Sequence, residues 1–270
     1  MIPTGAVSLG WSGTPLPEVF AQLTDMGGTC VEINGNTERH HGIRLDADTI
    51  AQVRNWARDA GLTINSLSSY CDFAQTDAAA LDTEIERLLT TCRAASQMGV
   101  SVVRAFTGDV KPGITLAAVR PNIVAAFRDA SAESAELGIS LGIENHGRLI
   151  NDGPALATLV DDVGADNLGF TIDTGNFAWA GHGPQQVRAD FDAVLTRAFN
   201  VHIKDGVWDG DGFTFVTAGE GELPLAWLIG ALVDRGYTGA ICSEYEGAGD
   251  FRACTAASID YLNSLLERAV

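Results

Sequence analysis

Residues 135–144 read AELGISLGIE: a helical end leads through Gly138 into an apolar run that stops at an acidic residue, Glu144. The same order recurs in TDMGGTCVEI (24–33), RDAGLTINSL (58–67), SQMGVSVVRAF (96–106) and VDRGYTGAICSE (233–244). Glycine after a helix adopts the left-handed conformation that closes the helix without steric cost. The recurring unit therefore predicts alternating helices and strands, which is typical of an α/β protein with a parallel sheet.

Eight short apolar segments fit the strands of this repeat, and a predicted helix follows each of them, the last over residues 250–267. The strands cover residues 6–9, 30–33, 63–67, 100–105, 139–143, 168–172, 200–203 and 240–243. Their nearly continuous hydrophobicity fits parallel strands that are buried on both faces. Eight such units in 270 residues predict one domain over residues 1–270, a (β/α)8 TIM barrel. The alternative is a doubly wound open sheet, although no glycine-rich phosphate fingerprint follows the first strand.

The composition of the chain indicates which binding partners and which cellular compartment to expect. The formal charge of −18, from 17 basic and 35 acidic residues, repels nucleic acid and anionic membranes. Five cysteines without a C-x-x-C pair indicate reduced thiols. No apolar run is long enough to span a bilayer, and the N-terminal residues lack a signal-peptide pattern. We expect a cytoplasmic protein that binds neither nucleic acid nor membranes.

Four residues in the second half of the chain indicate the chemistry. Glu144, Asp173, His202 and Glu244 follow or end apolar runs at intervals of 29, 29 and 42 residues. In a closed parallel barrel this spacing brings all four side chains to the rim where active sites form. Two Glu, one Asp and one His that converge make a divalent-metal site. Glu246 is the alternative to Glu244 for the last ligand, although Glu244 is nearer the strand end.

Five segments carry a family resemblance: GIENHGRL (142–149), GFTIDTGNFAWAG (169–181), NVHIKDG (200–206), AGEGELPL (218–225) and GAICSEYEG (239–247). In this order and spacing they resemble the xylose-isomerase-like superfamily. More narrowly, the chain is similar to its sugar epimerase and isomerase branch, which includes ketose 3-epimerases and inosose isomerases.

The resemblance implies one divalent cation, held by Glu144, Asp173, His202 and Glu244. Mn²⁺ is the first choice for its identity, and Mg²⁺, Co²⁺ and Zn²⁺ also suit these ligands. The two glutamates are expected to act as catalytic acid and base. The implied activity is an isomerase or epimerase acting on a sugar, keto sugar or cyclitol through an ene-diolate that the metal stabilises.

Five further residues are candidates for substrate binding: His146, Asn176, Lys204, Arg104 and Glu32. Asn176 stands where epimerases of this branch often have a histidine that faces the substrate. For Lys204, the alternative is a salt bridge with Asp205 or Glu144. Glu32 and Arg104 are expected to bind substrate hydroxyls or to pair with each other.

Other activities of the superfamily remain open from the sequence. A lyase or dehydratase acting on an inosose or a 3-oxo-glycoside would form the same enolate and then eliminate a group. The abasic-site endonuclease branch needs additional histidines and a charge that tolerates DNA. A metal-dependent carbohydrate-binding barrel without catalysis is the third alternative. Relatives often form dimers or tetramers, so a homo-oligomer is also open, and we expect His40 and His41 to be exposed on the loop after the second strand.

Overall fold

The computed structural model describes residues 2–35, 42–210 and 212–269, so that His40 and His41 lie outside the described residues. Ten strands occur in these ranges: Thr4–Val7 (β1), Cys30–Asn34 (β2), Thr63–Ser68 (β3), Val102–Ala105 (β4), Ser140–Glu144 (β5), Leu168–Asp173 (β6), Ala198–Ile203 (β7), Asp205–Asp209 (β8), Gly212–Val216 (β9) and Ala240–Ser243 (β10).

The same described ranges contain nine α-helices, and two single 3₁₀ turns cover Ser8–Gly10 and Leu195–Arg197. The α-helices are Leu16–Asp25 (α1), Ala47–Asp59 (α2), Ala78–Met98 (α3), Leu116–Glu136 (α4), Gly153–Val163 (α5), Asn176–Trp179 (α6), Pro184–Val194 (α7), Leu225–Asp234 (α8) and Phe251–Ala269 (α9). None of the helices in the described part of the chain has the length and apolar character needed to span a bilayer.

Eight of the described strands close into one barrel in the order β1-β10-β7-β6-β5-β4-β3-β2. Every neighbouring pair is parallel, including β1 with β10, which closes the ring. The single-domain TIM barrel predicted from the sequence is therefore confirmed, and the open sheet is excluded. Each predicted strand lies within a few residues of an observed one.

Helices cover the outside of the barrel with the apolar faces expected from their spacing. Ile50, Val53 and Ala57 of α2 are buried, and Asp46 caps that helix by accepting a hydrogen bond from Thr49 N at 2.9 Å. The last helix is tied to the first strand, because Thr4 Oγ1 donates to Asn263 Oδ1 at 2.6 Å. The fold thus fixes the strand ends on which the polar residues lie.

The hairpin of β8 and β9 was not predicted. It follows β7 directly and pairs antiparallel, with Asp209 opposite Gly212. Its sequence pattern was present, since the dipeptide Gly210-Asp211 is of a type frequent in two-residue hairpin loops and apolar residues occur on both sides of it. The hairpin lies on the loop side of the barrel, between β7 and α8, next to the strand that carries His202.

Candidate metal centre

The four residues expected to bind metal come from four adjacent strands of the barrel. In spatial order these strands are β10, β7, β6 and β5. Asp173 and Glu144 end β6 and β5, His202 is the last residue but one of β7, and Glu244 directly follows β10. The residues therefore form an arc along half of the barrel mouth, with Glu244 and Glu144 at its two ends.

The side chains of this arc converge. One possible ligand atom from each residue lies within 4.8 Å of every other. His202 Nδ1 is 3.1 Å from Glu244 Oε2 and 3.9 Å from Glu144 Oε2. When each metal–ligand distance is about 2.2 Å, two ligand atoms on opposite sides of a cation are about 4.4 Å apart. The ligand atoms of the four residues are therefore spaced nearly as they would be around one cation. All four residues are buried, and Glu244 is the most exposed of them at 7 %.

Local hydrogen bonds orient Asp173. Its Oδ1 accepts from the backbone N–H groups of Gly175 and Asn176, at 2.9 and 3.0 Å, just before the short helix α6 and at its first residue. Its own backbone is held by the side chain of Asn145, which accepts from Asp173 N at 2.8 Å and donates to Asp173 O at 2.9 Å. With Oδ1 occupied in this way, Oδ2 is left facing the cluster.

A side chain also joins the ends of β6 and β7. The Thr174 hydroxyl donates to Lys204 O at 2.6 Å and accepts from Lys204 N at 2.9 Å. These two hydrogen bonds continue the pairing of β6 and β7 just beyond the strand ends. In that pairing Asp173 is opposite His202. Asp173 and His202 are thereby fixed side by side.

Three buried polar atoms in the cluster have no hydrogen-bond partner among the described residues: Asp173 Oδ2, His202 Nδ1 and Glu244 Oε2. Lys204 Nζ lies 3.0 Å from the first and 3.4 Å from the third, but without hydrogen-bond geometry. Buried polar atoms are rarely left without a partner, because the desolvation cost is then uncompensated. Carboxylate oxygens and an imidazole nitrogen that point to one position fit a divalent cation.

The electrostatics of the cluster agree with this fit. Burial, together with the neighbouring Glu244 and Glu144, raises the pKa of Asp173 well above its usual range, although Lys204 opposes the shift. Burial alone would raise the pKa of Glu244, but the charges of Lys204 and His202 outweigh burial and hold this pKa well below its usual value. A carboxyl whose pKa is raised by its carboxylate neighbours indicates surplus negative charge, which a bound cation would neutralise.

Lys204 and Asn176 contact the cluster directly. Lys204 Nζ is within 3.4 Å of carboxylate oxygens of Asp173, Glu244 and Glu246, and it donates to Asn176 Oδ1 at 3.3 Å. Asn176 Nδ2 in turn donates to Glu144 Oε1 at 3.1 Å. Burial lowers the pKa of Lys204, but Asp173 and Glu244 outweigh it and raise that pKa well above its usual value, so the ammonium stays charged.

Asp205, which the sequence offered as a salt-bridge partner of Lys204, instead binds backbone. Its carboxylate accepts from the N–H groups of Gly206, Gly219, Gly221 and Leu223, at 2.8 to 3.3 Å. These contacts fold the segment after β9 against the end of β7. The ion pairs of Lys204 among the described residues are with Asp173, Glu244 and Glu246.

Arg104 and Glu32 pair with each other, one of the two outcomes expected from the sequence. Arg104 Nε is 3.3 Å from Glu32 Oε1, and Arg104 Nη1 makes a very short contact with Glu144 Oε2. The guanidinium lies 4.9 Å from the ring centroid of Tyr70 and 4.5 Å from that of Phe106. Arg104 therefore links the cluster to the opposite side of the barrel.

Glu32 is fully buried, and its polar contacts within the described part of the chain are with side chains. Its Oε2 accepts from Asn200 Nδ2 at 2.6 Å and lies 2.8 Å from His202 Nε2, while Oε1 accepts from the hydroxyl of Ser68 in a short hydrogen bond. Burial would raise the pKa of Glu32, but His202, Arg104 and Ser68 together lower it from an ordinary 4.5 to about 2.

The remaining candidates lie outside the cluster. His146 is exposed, and its ring lies beside Phe106 with centroids 4.7 Å apart. The side chain of Glu246 is 42 % exposed and pairs with Lys204, and Glu244 is the glutamate that joins the group. Sequence reasoning missed Asn200 and Ser68, although a polar residue inside an otherwise apolar barrel strand was a usable indication.

Comparison with known proteins supports the fold. A search of curated proteins found no match. A xylose isomerase-like TIM barrel protein from Mycobacterium smegmatis, solved in complex with magnesium, superimposes with a TM-score of 0.82 at 18% identity, over 100% of this chain and 98% of that one. A D-tagatose 3-epimerase-like protein gives 0.79 at 18% identity, over 100% of both chains. The mannonate dehydratase of Streptococcus suis serotype 2 gives 0.79 at 16% identity, over 100% of this chain and 95% of that one.

At these identities the likeness to solved structures concerns the fold. The family is established by the sequence model of the xylose isomerase-like TIM barrel, which matches residues 20–265. That range contains all of the barrel strands except β1, and it includes the four residues of the metal-site-like group. The chain therefore belongs to the xylose isomerase-like TIM barrel family.

Proposed function

We propose that the protein is a divalent-metal-dependent isomerase or epimerase acting on a sugar, keto sugar or cyclitol. The observation that carries this proposal is the buried group of Glu144, Asp173, His202 and Glu244, whose ligand atoms lie within 4.8 Å of one another. Sugar-processing relatives in the family support a small carbohydrate as the substrate.

The arrangement of the two glutamates suits proton transfer at a carbon next to a carbonyl. A divalent cation held by the four residues supplies Lewis-acid polarisation of a substrate carbonyl or hydroxyl oxygen. Glu144 and Glu244 stand at opposite ends of the arc, on β5 and after β10. One carboxylate removes the proton and the other returns one, from the opposite face for epimerisation or at the neighbouring carbon for isomerisation.

Lys204 and Asn176 would orient the substrate and stabilise charge on its oxygens. Because the Lys204 ammonium stays charged, it acts as a hydrogen-bond donor and not as an acid. Asn176 bridges Lys204 and Glu144, and its uncharged amide replaces the titratable histidine that the resemblance led us to consider. Arg104 holds Glu144 from the other side, so that the position of this carboxylate is fixed before substrate enters.

A lyase or dehydratase of the same family is the second candidate. It would begin with the same proton removal, and a leaving group on the next carbon would then depart. The similarity to the mannonate dehydratase, whose TM-score equals that of the epimerase-like protein, favours keeping this candidate. The two candidates differ in the fate of the carbanion, which depends on the substrate.

The experiment that tests the proposal measures exchange of a substrate C–H proton with solvent. The Mn²⁺-loaded protein is incubated in D₂O with a panel of ketoses, inososes and 3-oxo-glycosides, and NMR follows loss of the proton next to the carbonyl. We expect exchange with at least one compound. Glu144→Gln and Glu244→Gln should each lower its rate about 10²- to 10⁴-fold, because each removes a proton-transfer group.

The products separate the two candidates. An isomer or epimer supports the first, and a dehydrated or cleaved product supports the second. No exchange with any compound by metal-loaded protein would contradict both, as would full activity in either glutamine variant.

For the cofactor we propose Mn²⁺, with Mg²⁺, Co²⁺ and Zn²⁺ as alternatives. We also propose a cytoplasmic location, which the five free cysteines support.

A further inference from the structure

We propose that Glu32 is a positioning residue that aims His202 Nδ1 at the metal and holds Glu144 through Arg104. The inference rests on the proposed metal site and deepens it. From the sequence, Glu32 was a candidate for substrate binding. It lies two residues before the end of β2, with no exposed surface, in the half of the barrel opposite the four ligands.

The first part of the argument concerns the tautomer of His202. An ionised carboxylate only accepts hydrogen bonds, and Glu32 Oε2 lies 2.8 Å from His202 Nε2. Once a metal takes the place of any proton on Nδ1, this contact keeps the one remaining ring proton on Nε2 and leaves the Nδ1 lone pair for the metal. Nδ1 is the atom that lies 3.1 Å from Glu244 Oε2 and has no hydrogen-bond partner among the described residues.

The second part concerns the rigidity of Glu32 itself. Asn200, two residues before His202 on the same strand, donates to Oε2 at 2.6 Å. Ser68 and Arg104 approach Oε1, the latter at 3.3 Å. Three hydrogen-bond donors and one charged guanidinium thus surround this carboxylate and restrict its orientation.

The third part concerns Glu144. Arg104 contacts Glu32 through Nε and Glu144 through Nη1, and the rings of Tyr70 and Phe106 lie within 5 Å of its guanidinium. A guanidinium with two carboxylate partners and two ring neighbours has little freedom. Glu32 therefore supports two of the four ligands at once: His202 directly, and Glu144 through Arg104.

The test compares Mn²⁺ affinity in Glu32→Gln with that in a matched control, Asp190→Asn. The side-chain amide introduced by Glu32→Gln would turn an N–H₂ group toward either Asn200 and His202, which donate to Oε2, or Ser68 and the Arg104 guanidinium, which contact Oε1. Asp190 is also fully buried and lies 2.7 Å from a histidine nitrogen, His182 Nδ1, but neither residue belongs to the cluster. Asp190→Asn likewise places an amide N–H₂ group against hydrogen-bond donors in a buried site, but at a different place in the protein.

We expect Glu32→Gln to bind Mn²⁺ about 10- to 100-fold more weakly than the wild type, by calorimetry or by electron paramagnetic resonance. Asp190→Asn should bind it within about 2-fold of the wild type, since neither Asp190 nor His182 belongs to the group of four residues. Equal affinity in wild type and Glu32→Gln would overturn the inference. So would an equal loss in both variants, because general destabilisation would then explain it.

A second measurement needs no variant. With ¹⁵N-labelled histidine and bound Zn²⁺, long-range ¹H–¹⁵N spectra should show His202 protonated at Nε2 and metal-bound at Nδ1. The opposite assignment would overturn the inference even if Glu32→Gln failed to fold. Failure of the proposed function would look different. The wild type would then bind Mn²⁺ more tightly than Glu32→Gln but exchange no substrate proton, which would support the inference and contradict the proposed function. A wild type that binds no Mn²⁺ would overturn both.

Discussion

Glu244 and Glu246 are two residues apart at the same strand exit, yet they meet different surroundings. Glu244 is buried beside His202 Nδ1, while the side chain of Glu246 is 42 % exposed and reaches the group only through Lys204. Strand alternation sends both side chains in the same direction, so direction alone does not separate them. Distance from the end of β10 does, because Glu244 directly follows the strand.

This pair gives a matched test of the metal site. Glu244→Gln should lower Mn²⁺ affinity at least about 10-fold, because the amide replaces a charged ligand oxygen in a buried site. Glu246→Gln should leave Mn²⁺ affinity within about 2-fold of the wild type, since that side chain lies outside the group. Calorimetric titration of both variants measures the difference. A larger loss in Glu246→Gln than in Glu244→Gln would reverse our assignment of the fourth ligand.

Residue type and spacing were sufficient to predict which four side chains meet. Each of the four residues lies where a strand ends, and the barrel brings the carboxyl ends of parallel strands to one rim. The contacts of Glu32 were not predictable in the same way. They join β2 to residues of β3, β4 and β7, and the sequence does not give the distances across a barrel.

At the level of elements, the barrel units were predictable because the glycine after a helix and the apolar strand recur together. The β8–β9 hairpin departs from that repeat and was therefore missed, although its turn residues were visible. Asp205 organises the segment that follows the hairpin by accepting four backbone N–H groups. Gly221 is required there, because a Cβ at this position would collide with the Asp205 carboxylate.

We predict that Asp205→Asn destabilises the protein by about 1.5–3 kcal/mol, since hydrogen bonds to a charged acceptor are lost and one amide of the segment faces an N–H₂ group. Asp209→Asn on the same hairpin is the control, because Asp209 is exposed and should change stability by less than about 0.5 kcal/mol. Chemical denaturation measures both variants. Equal stability of the two would mean that Asp205 does not organise this segment.

In the whole molecule, the candidate metal site and the residues proposed to hold it in place lie on opposite sides of the barrel. Strands β10, β7, β6 and β5 carry the arc of four candidate ligands, and β2 and β4 on the other side carry Glu32 and Arg104, which contact that arc. Part of the formal charge of −18 comes from the buried carboxylates that face one another at the rim. Such a grouping is costly without a cation and favourable with one.

The most direct test of the account is anomalous diffraction from crystals of the protein soaked in Mn²⁺. We predict one strong peak at the barrel mouth, about 2–2.4 Å from ligand atoms of Glu144, Asp173, His202 and Glu244. Fully soaked crystals without a peak among these four residues, or with the only ordered Mn²⁺ elsewhere on the protein, would contradict the account.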